Sequence, residues 1–164
     1  MQLRARLRYD ADIARVATML ADGDFVAAKV RAAGALSHSV AVVGDAQRAF
    51  TVTTRRHVPT TGIPPHLRPL VGSSLEIRQV EAWEAQSGDE RRGTIVVEIV
   101  GTPVRLTGTL HLVGDPDGGT TGHVHGDLRA PVPLFGSALE EATAQAVHAV
   151  VEAEERAAAA WLAG

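Results

Sequence analysis

The stretch from about residue 137 to 162 reads as one long amphipathic helix, and it constrains the fold more than any other feature of the chain. Leu139, Ala142, Ala146, Val150, Ala153, Ala157 and Trp161 recur at steps of three and four, the period of one helical face. Glu141, Gln145, His148, Glu152 and Glu155 fall on the other side. Ser137 and Glu140 have the S-x-x-E spacing of a capping box, which predicts the helix start. At 1.5 Å per residue such a helix runs roughly 39 Å, long enough to cross a small domain. Its apolar stripe is rich in Ala, so it needs a broad surface to cover and either draws that surface close or leaves room beneath.

The upstream chain supplies sheet. Leu3, Ala5, Leu7 and Tyr9 alternate with Gln2, Arg4, Arg6 and Arg8, the two-residue period of a half-buried strand with its arginines outward. Asp10 or Asp12 caps a short helix that shows Ile13, Val16, Ala17 and Leu20 on one face. Asp22-Gly23-Asp24 breaks it, 25–33 reads as a second short helix, and Gly34 suits the left-handed position after its end. Six alternating segments follow, at 36–43, 48–58, 73–84, 91–100, 103–113 and 120–128, each bounded by turn residues as in an antiparallel meander. The 59–72 connector combines five Pro and Gly positions before its final glycine with Ile63, Leu67 and Leu70, which predicts a loop folded back over something apolar.

Length and charge narrow the function. With 164 residues the chain is most simply one domain, 1–164, and buries roughly 70% of its extended surface. It has no cysteine, which excludes disulfides, thiolate metal sites and cysteine nucleophiles. The first ten residues lack an apolar h-region and no apolar run is long enough to span a membrane, so the expectation is a soluble cytoplasmic protein. A net charge of −3 gives no general attraction to nucleic acid, and Arg55-Arg56-His57 and Arg91-Arg92 read as solvated strand ends. The 16 basic residues include a single lysine, Lys29, a bias that fits a GC-rich genome. No G-x-S-x-G elbow, P-loop or G-x-G-x-x-G turn is present, so neither a serine triad nor nucleotide binding has a sequence basis.

The order strand, two short helices, six strands and long helix resembles the START-like superfamily, the helix-grip fold of the birch pollen allergen, steroidogenic lipid-transfer domains and polyketide cyclases. Gly62-Ile63-Pro64, Gln79-Val80-Glu81-Ala82-Trp83, the run 101–110 and Pro133-Leu134-Phe135-Gly136 are similar to a bacterial branch of it, domain of unknown function 2505. The resemblance implies an α+β fold in which a curved seven-stranded antiparallel sheet wraps a C-terminal helix around a hydrophobic cavity. It carries no activity with it. It implies candidate walls at Phe50, Val52, Trp83, Leu106, Leu110 and Val124 on the strands and Leu139, Val147 and Val150 on the helix, with Ile63 and Leu67 on a lid loop.

Polar residues on that inner face are the candidate contacts. Leu75, Ile77, Gln79, Glu81 and Trp83 share one face of a strand, and Arg48 and Arg56 share the face of Phe50, Val52 and Val58 on its neighbour. A carboxylate there is either paired or raised in pKa. Arg56, Gln79 and Glu81 are therefore either a polar anchor for an apolar ligand, an acid–base group, or a structural ion pair. Gly108, Gly122 and Gly126 on inner faces either widen a cavity or admit the helix. His38 reads as a hydrogen-bonded core histidine. His111, His123, His125 and Asp127 lie on the outer face, where an H-x-H pair with the spacing of a zinc site is more simply surface histidine, and no metal or cofactor is expected. The expectation is a binder of a hydrophobic small molecule or lipid. The alternatives are a polyketide cyclase or aromatase-like enzyme and a protein-interaction module with a collapsed cavity.

Overall fold

The computed structural model describes residues 1–164. Strand β1 (Gln2–Tyr9) leads to helices α1 (Ile13–Leu20) and α2 (Gly23–Ala32). Strands β2 (Ser37–Gly44), β3 (Phe50–Pro59), β4 (Ser74–Trp83), β5 (Glu90–Ile99), β6 (Arg105–Gly114) and β7 (Thr120–Arg129) follow, and helix α3 (Gly136–Ala163) ends the chain. They form one seven-stranded sheet in the order β1-β7-β6-β5-β4-β3-β2, antiparallel throughout. The meander runs from β2 to β7, and β1 closes the far edge beside β7. Helices α1 and α2 carry the chain from one edge to the other.

Local chemistry explains the boundaries. The Asp12 carboxylate accepts the Arg15 N–H at 2.8 Å and starts α1, and Asp22 accepts the Asp24 N–H at 2.8 Å and starts α2. Gly34 sits at φ 92° just past α2. The expected capping box of α3 does not form. Leu134 takes a left-handed φ of 69° and Phe135 becomes the cap position, so the helix begins before Ser137. Glu140 turns instead to the Ala130 N–H at 3.4 Å.

The alternating faces fall as the period predicts. Cross-strand register places Tyr9, Thr120, Leu112, Arg91, Trp83 and Phe50 toward one end of the concave face and Leu3, Leu106 and Leu75 toward the other. On α3 the buried positions are Leu139, Ala153 and Ala158, while Ala146 is exposed.

Two apolar clusters hold the layers together. One joins α1 and α2 to the sheet through Val16, Phe25, Val26, Phe50, Trp83 and Leu112. Trp161 of α3 packs edge-on against Phe25 at 5.5 Å, and Phe50 stacks with Trp83 at 6.4 Å. The other joins Leu3, Leu106, Leu128 and Leu139 to Leu67 of the 59–72 connector, with Ile63 packed against it. Leu67 is only 1% exposed, so the connector folds back over apolar residues as its composition predicts.

Three expectations change. Like Arg56, which is 6% exposed, Arg91 is not a solvated strand end: it is 2% exposed. Its guanidinium donates to the carbonyls of Glu84 and Ala46, each at 2.8 Å, and of Arg48, and lies 5.0 Å from the Phe50 ring centre. Two inward glycines open no cavity, because side chains already fill the space: a Cβ on Gly126 meets Leu106 at 2.5 Å, and one on Gly122 meets Tyr9 at 3.2 Å. Gly108 pairs directly with Gly126, and a Cβ there meets the His125 carbonyl and the Gly126 Cα, so the pair lets β6 and β7 approach closely. His38 is half-buried on edge strand β2, opposite Arg56, and its ring has no hydrogen-bond partner.

Helix α3 packs most closely on α2 and β1, and less on β7, so the middle strands face it across a wider space. Ile77, Val97, Ile99 and Val124 on that stretch of sheet, and Val147, Val150 and Val151 on the helix, are only half-buried. Val97 packs against both clusters and marks the junction between them. No helix is long and apolar enough to cross a membrane.

Candidate functional site

Glu81 lies on the concave face opposite Val52 of β3 and Ile95 of β5, so its carboxylate starts among apolar neighbours. Ionisation there requires compensating charge and hydrogen bonds. Helix α2 supplies the charge: Lys29 Nζ is 3.4 Å from Glu81 Oε1 and 3.2 Å from Oε2 of Glu154 on α3. Gln79 Nε2 donates to Glu81 Oε1 at 2.6 Å, and Trp83 Nε1 donates to Oε2 at 3.3 Å. The Tyr9 hydroxyl donates to Glu154 Oε1 at 3.2 Å. Arg56 Nη1 donates to Gln79 Oε1 at 3.2 Å and to Thr54 Oγ1 at 3.4 Å. A continuous polar chain thus links β3, β4, both packing helices and β1. Lys29 and Glu81 are each 7% exposed and Arg56 6%.

These contacts set the ionisation states. Burial opposes the charge on Glu81, but Lys29 and the hydrogen bonds from Gln79 and Trp83 outweigh it and hold the carboxyl below the usual range. Burial likewise opposes the Lys29 charge, and Glu154 and Glu81 outweigh it, so the ammonium is held above its ordinary value. Arg56 goes the other way: burial lowers it, and Glu81 and Glu154 offset that only in part. Burial first, then Glu154 and Glu81, push the Tyr9 phenol well up. Glu81 is therefore an anchored carboxylate with three donors on it, which makes it a poor proton donor.

The partner expected for Glu81 changes accordingly. Neither Arg48 nor Arg56 forms an ion pair with it; Arg48 is exposed before β3, and Arg56 reaches Gln79. Lys29, Glu154 and Tyr9 complete the cluster and are absent from the candidates drawn from sequence. Their only sequence signals are a lone lysine among arginines and a glutamate seven residues beyond Val147 on the covered side of α3.

Of the candidate walls, Phe50, Val52, Trp83 and Leu110 are packed into the first cluster, with Val124 against it. Leu67, Leu106 and Leu139 are packed into the second, with Ile63 and Val147 against it. Val150 stands apart, lining a cleft of about 20 Å³ together with Lys29, Thr54, Arg56, Gln79 and Glu154. That is room for about one water. A cleft of about 410 Å³ lies elsewhere, between Asp12, Gln86, Asp89, Asp115 and Gly119. Two of its carboxylates are committed, Asp12 to the α1 cap and Asp115 to Arg8 and Thr121, and it lies far from the buried polar cluster, so its size does not make it the better site.

The outer-face histidines are separate from this chemistry. His111 and His123 oppose each other across β6 and β7 with ring centres 6.4 Å apart. His111 Nε2 is buried without a hydrogen bond, 3.5 Å from Glu90 Oε1. No group of three or more His, Asp or Glu side chains is arranged around a common point to hold a metal ion.

Solved structures share this architecture. The protein TTHA0849 of Thermus thermophilus superposes with a TM-score of 0.61 at 15% identity, over 96% of this chain and 97% of that one. A START superfamily protein from Mycobacterium smegmatis gives 0.55 at 14% identity, over 94% of each chain. Dicamba monooxygenase, solved with 3,6-dichlorosalicylic acid, gives 0.55 at 15% identity; 98% of this chain aligns with only 48% of that one, so the likeness spans about half of the larger protein. At these identities the likeness shows the fold, which is the START-like helix grip. No curated protein matches the sequence. A family profile does match, across residues 4–162, and the chain belongs to the family described as "Protein of unknown function (DUF2505)".

Proposed function

We propose that this protein is a single START-like domain that binds a hydrophobic small molecule or lipid between the sheet and α3, in the cytoplasm. The observation that carries the reading is the middle of the concave face. There, apolar side chains of β4, β5 and β7 look toward Val147 and Val150 of α3 yet stay half-buried, next to a buried polar cluster. Proteins of this fold commonly hold apolar ligands in that space. The cleft that reaches the cluster holds about one water, whereas small-molecule sites are roughly 300–1,000 Å³, so binding requires α3 or the connector to move outward. The cyclase-like alternative is less well supported, because the carboxylate it would use is held ionised by three donors.

Bulk at Val97, where the two clusters meet, tests the site. Wild type is expected to bind the neutral fluorophore N-phenyl-1-naphthylamine, and Val97→Trp to bind it about tenfold more weakly or not at all. Thr94→Trp, on the exposed convex side of the same strand, should leave binding unchanged. Equal affinity in both variants would place the probe elsewhere and remove the proposed site.

A further inference from the structure

We propose that Arg56 anchors the carboxylate head of an amphiphilic ligand whose apolar body lies along the middle of the concave face. The inference rests on the reading of that face as an apolar ligand site and adds the chemical class of what enters it. Arg56 is buried, yet no carboxylate lies within ion-pair distance of it. Both carboxylates of the cluster are held by Lys29. The guanidinium spends one nitrogen, Nη1, on the neutral oxygens of Gln79 and Thr54. Its Nε and Nη2 have no protein partner and are not sealed off, since the only buried side-chain polar atom without a partner is on His111. Arg56 lines the cleft that it shares with Gln79 and Val150.

A buried guanidinium with three of its five N–H donors unpaired by protein is a costly arrangement unless an acceptor arrives. Its planar fork matches a carboxylate in a way that a point-charge ammonium does not. The lowered pKa of Arg56 agrees, since the two protein carboxylates offset its burial only in part. Glu154 also lines the cleft and would repel an anion, but Tyr9 and Lys29 already occupy its two oxygens. From this anchor the apolar path is continuous: Ile77 sits directly across from Arg56 on β4, and Ile99 directly across from Ile77 on β5.

Decanoate and 1-decanol share a comparable apolar body and differ in the head, so calorimetric titration of both at pH 8 separates the two layers of the argument. Wild type is expected to bind decanoate about 10- to 100-fold more tightly than 1-decanol. In Arg56→Gln decanoate binding should weaken until that preference collapses; Arg56→Lys should keep only a part of it. Equal binding of both by wild type, or a preference that survives in Arg56→Gln, overturns the role of Arg56 and leaves the apolar site standing. Binding of neither overturns both. If Arg56→Gln does not fold, the wild-type preference and its fall in Arg56→Lys still decide the matter.

Discussion

Lys29→Met is expected to destabilise the protein by about 3–5 kcal/mol, read from urea unfolding at pH 7. The methionine fills much of the space of the lysine stem, so the loss comes from charge. Without the ammonium, Glu81 and Glu154 remain beside each other with no cation between them. Adding Glu81→Gln to Lys29→Met should recover a large part of the loss, because an amide tolerates that site without a counterion. A loss under about 1 kcal/mol would mean the cluster is well solvated, contrary to its burial.

The pH dependence follows with its sign. The folded pKa of Glu81 is lowered, so its contribution is complete above its unfolded value, about 4.3, and is lost as pH falls through the lower folded value. The folded pKa of Lys29 is raised, so its contribution is complete below about 10.4 and is lost as pH rises through the higher folded value. Wild-type stability from this pair is therefore level between those limits. In Lys29→Met, burial of Glu81 is no longer outweighed and its pKa rises. The deficit of the variant should therefore shrink as pH is lowered toward 5, and a deficit that widens on acidification would contradict the assignment.

Gly108→Ala is the second change expected to be severe, at about 3 kcal/mol. Its new methyl group would meet the His125 carbonyl and the Gly126 Cα, at 2.8 Å for the latter, and both belong to the backbone of β7. Neither can rotate away, so β6 and β7 must separate where the sheet faces α3. At Gly126→Ala the nearest atom is the end of the Leu106 side chain at 2.5 Å, which can change rotamer. That variant should lose about 1 kcal/mol. Thermal unfolding of the two proteins compares them directly; equal losses would mean that the close approach at Gly108 is not what holds these strands.

These two sites also show how much of the molecule is legible in its sequence. Strand order and facing can be read because a period of two, punctuated by turns, assigns each side chain to one face; Glu81, Gln79 and Arg56 fall together on that basis alone. The partner of Glu81 cannot be read in the same way. Lys29 lies on a different element, and no periodicity says over which strand a short helix will sit. Glu154 escapes because the stripe is traced through apolar residues alone, and a glutamate next to Ala153 does not enter it. Glycines on inner faces are ambiguous because the missing Cβ is a property of the sequence, whereas the atom filling its place, Leu106 or Tyr9, is a property of packing. The true start of α3 escapes the capping-box pattern because a left-handed Leu134 has no signature in residue type.

The most direct measurement is native mass spectrometry of the freshly purified protein, followed by denaturing extraction and identification of whatever is released. A retained apolar or amphiphilic molecule near one per chain, released on denaturation and absent from Val97→Trp, is the predicted result. A mass equal to the bare chain, unchanged after incubation with fatty acids, phospholipids and polyphenols, would contradict ligand binding between sheet and helix.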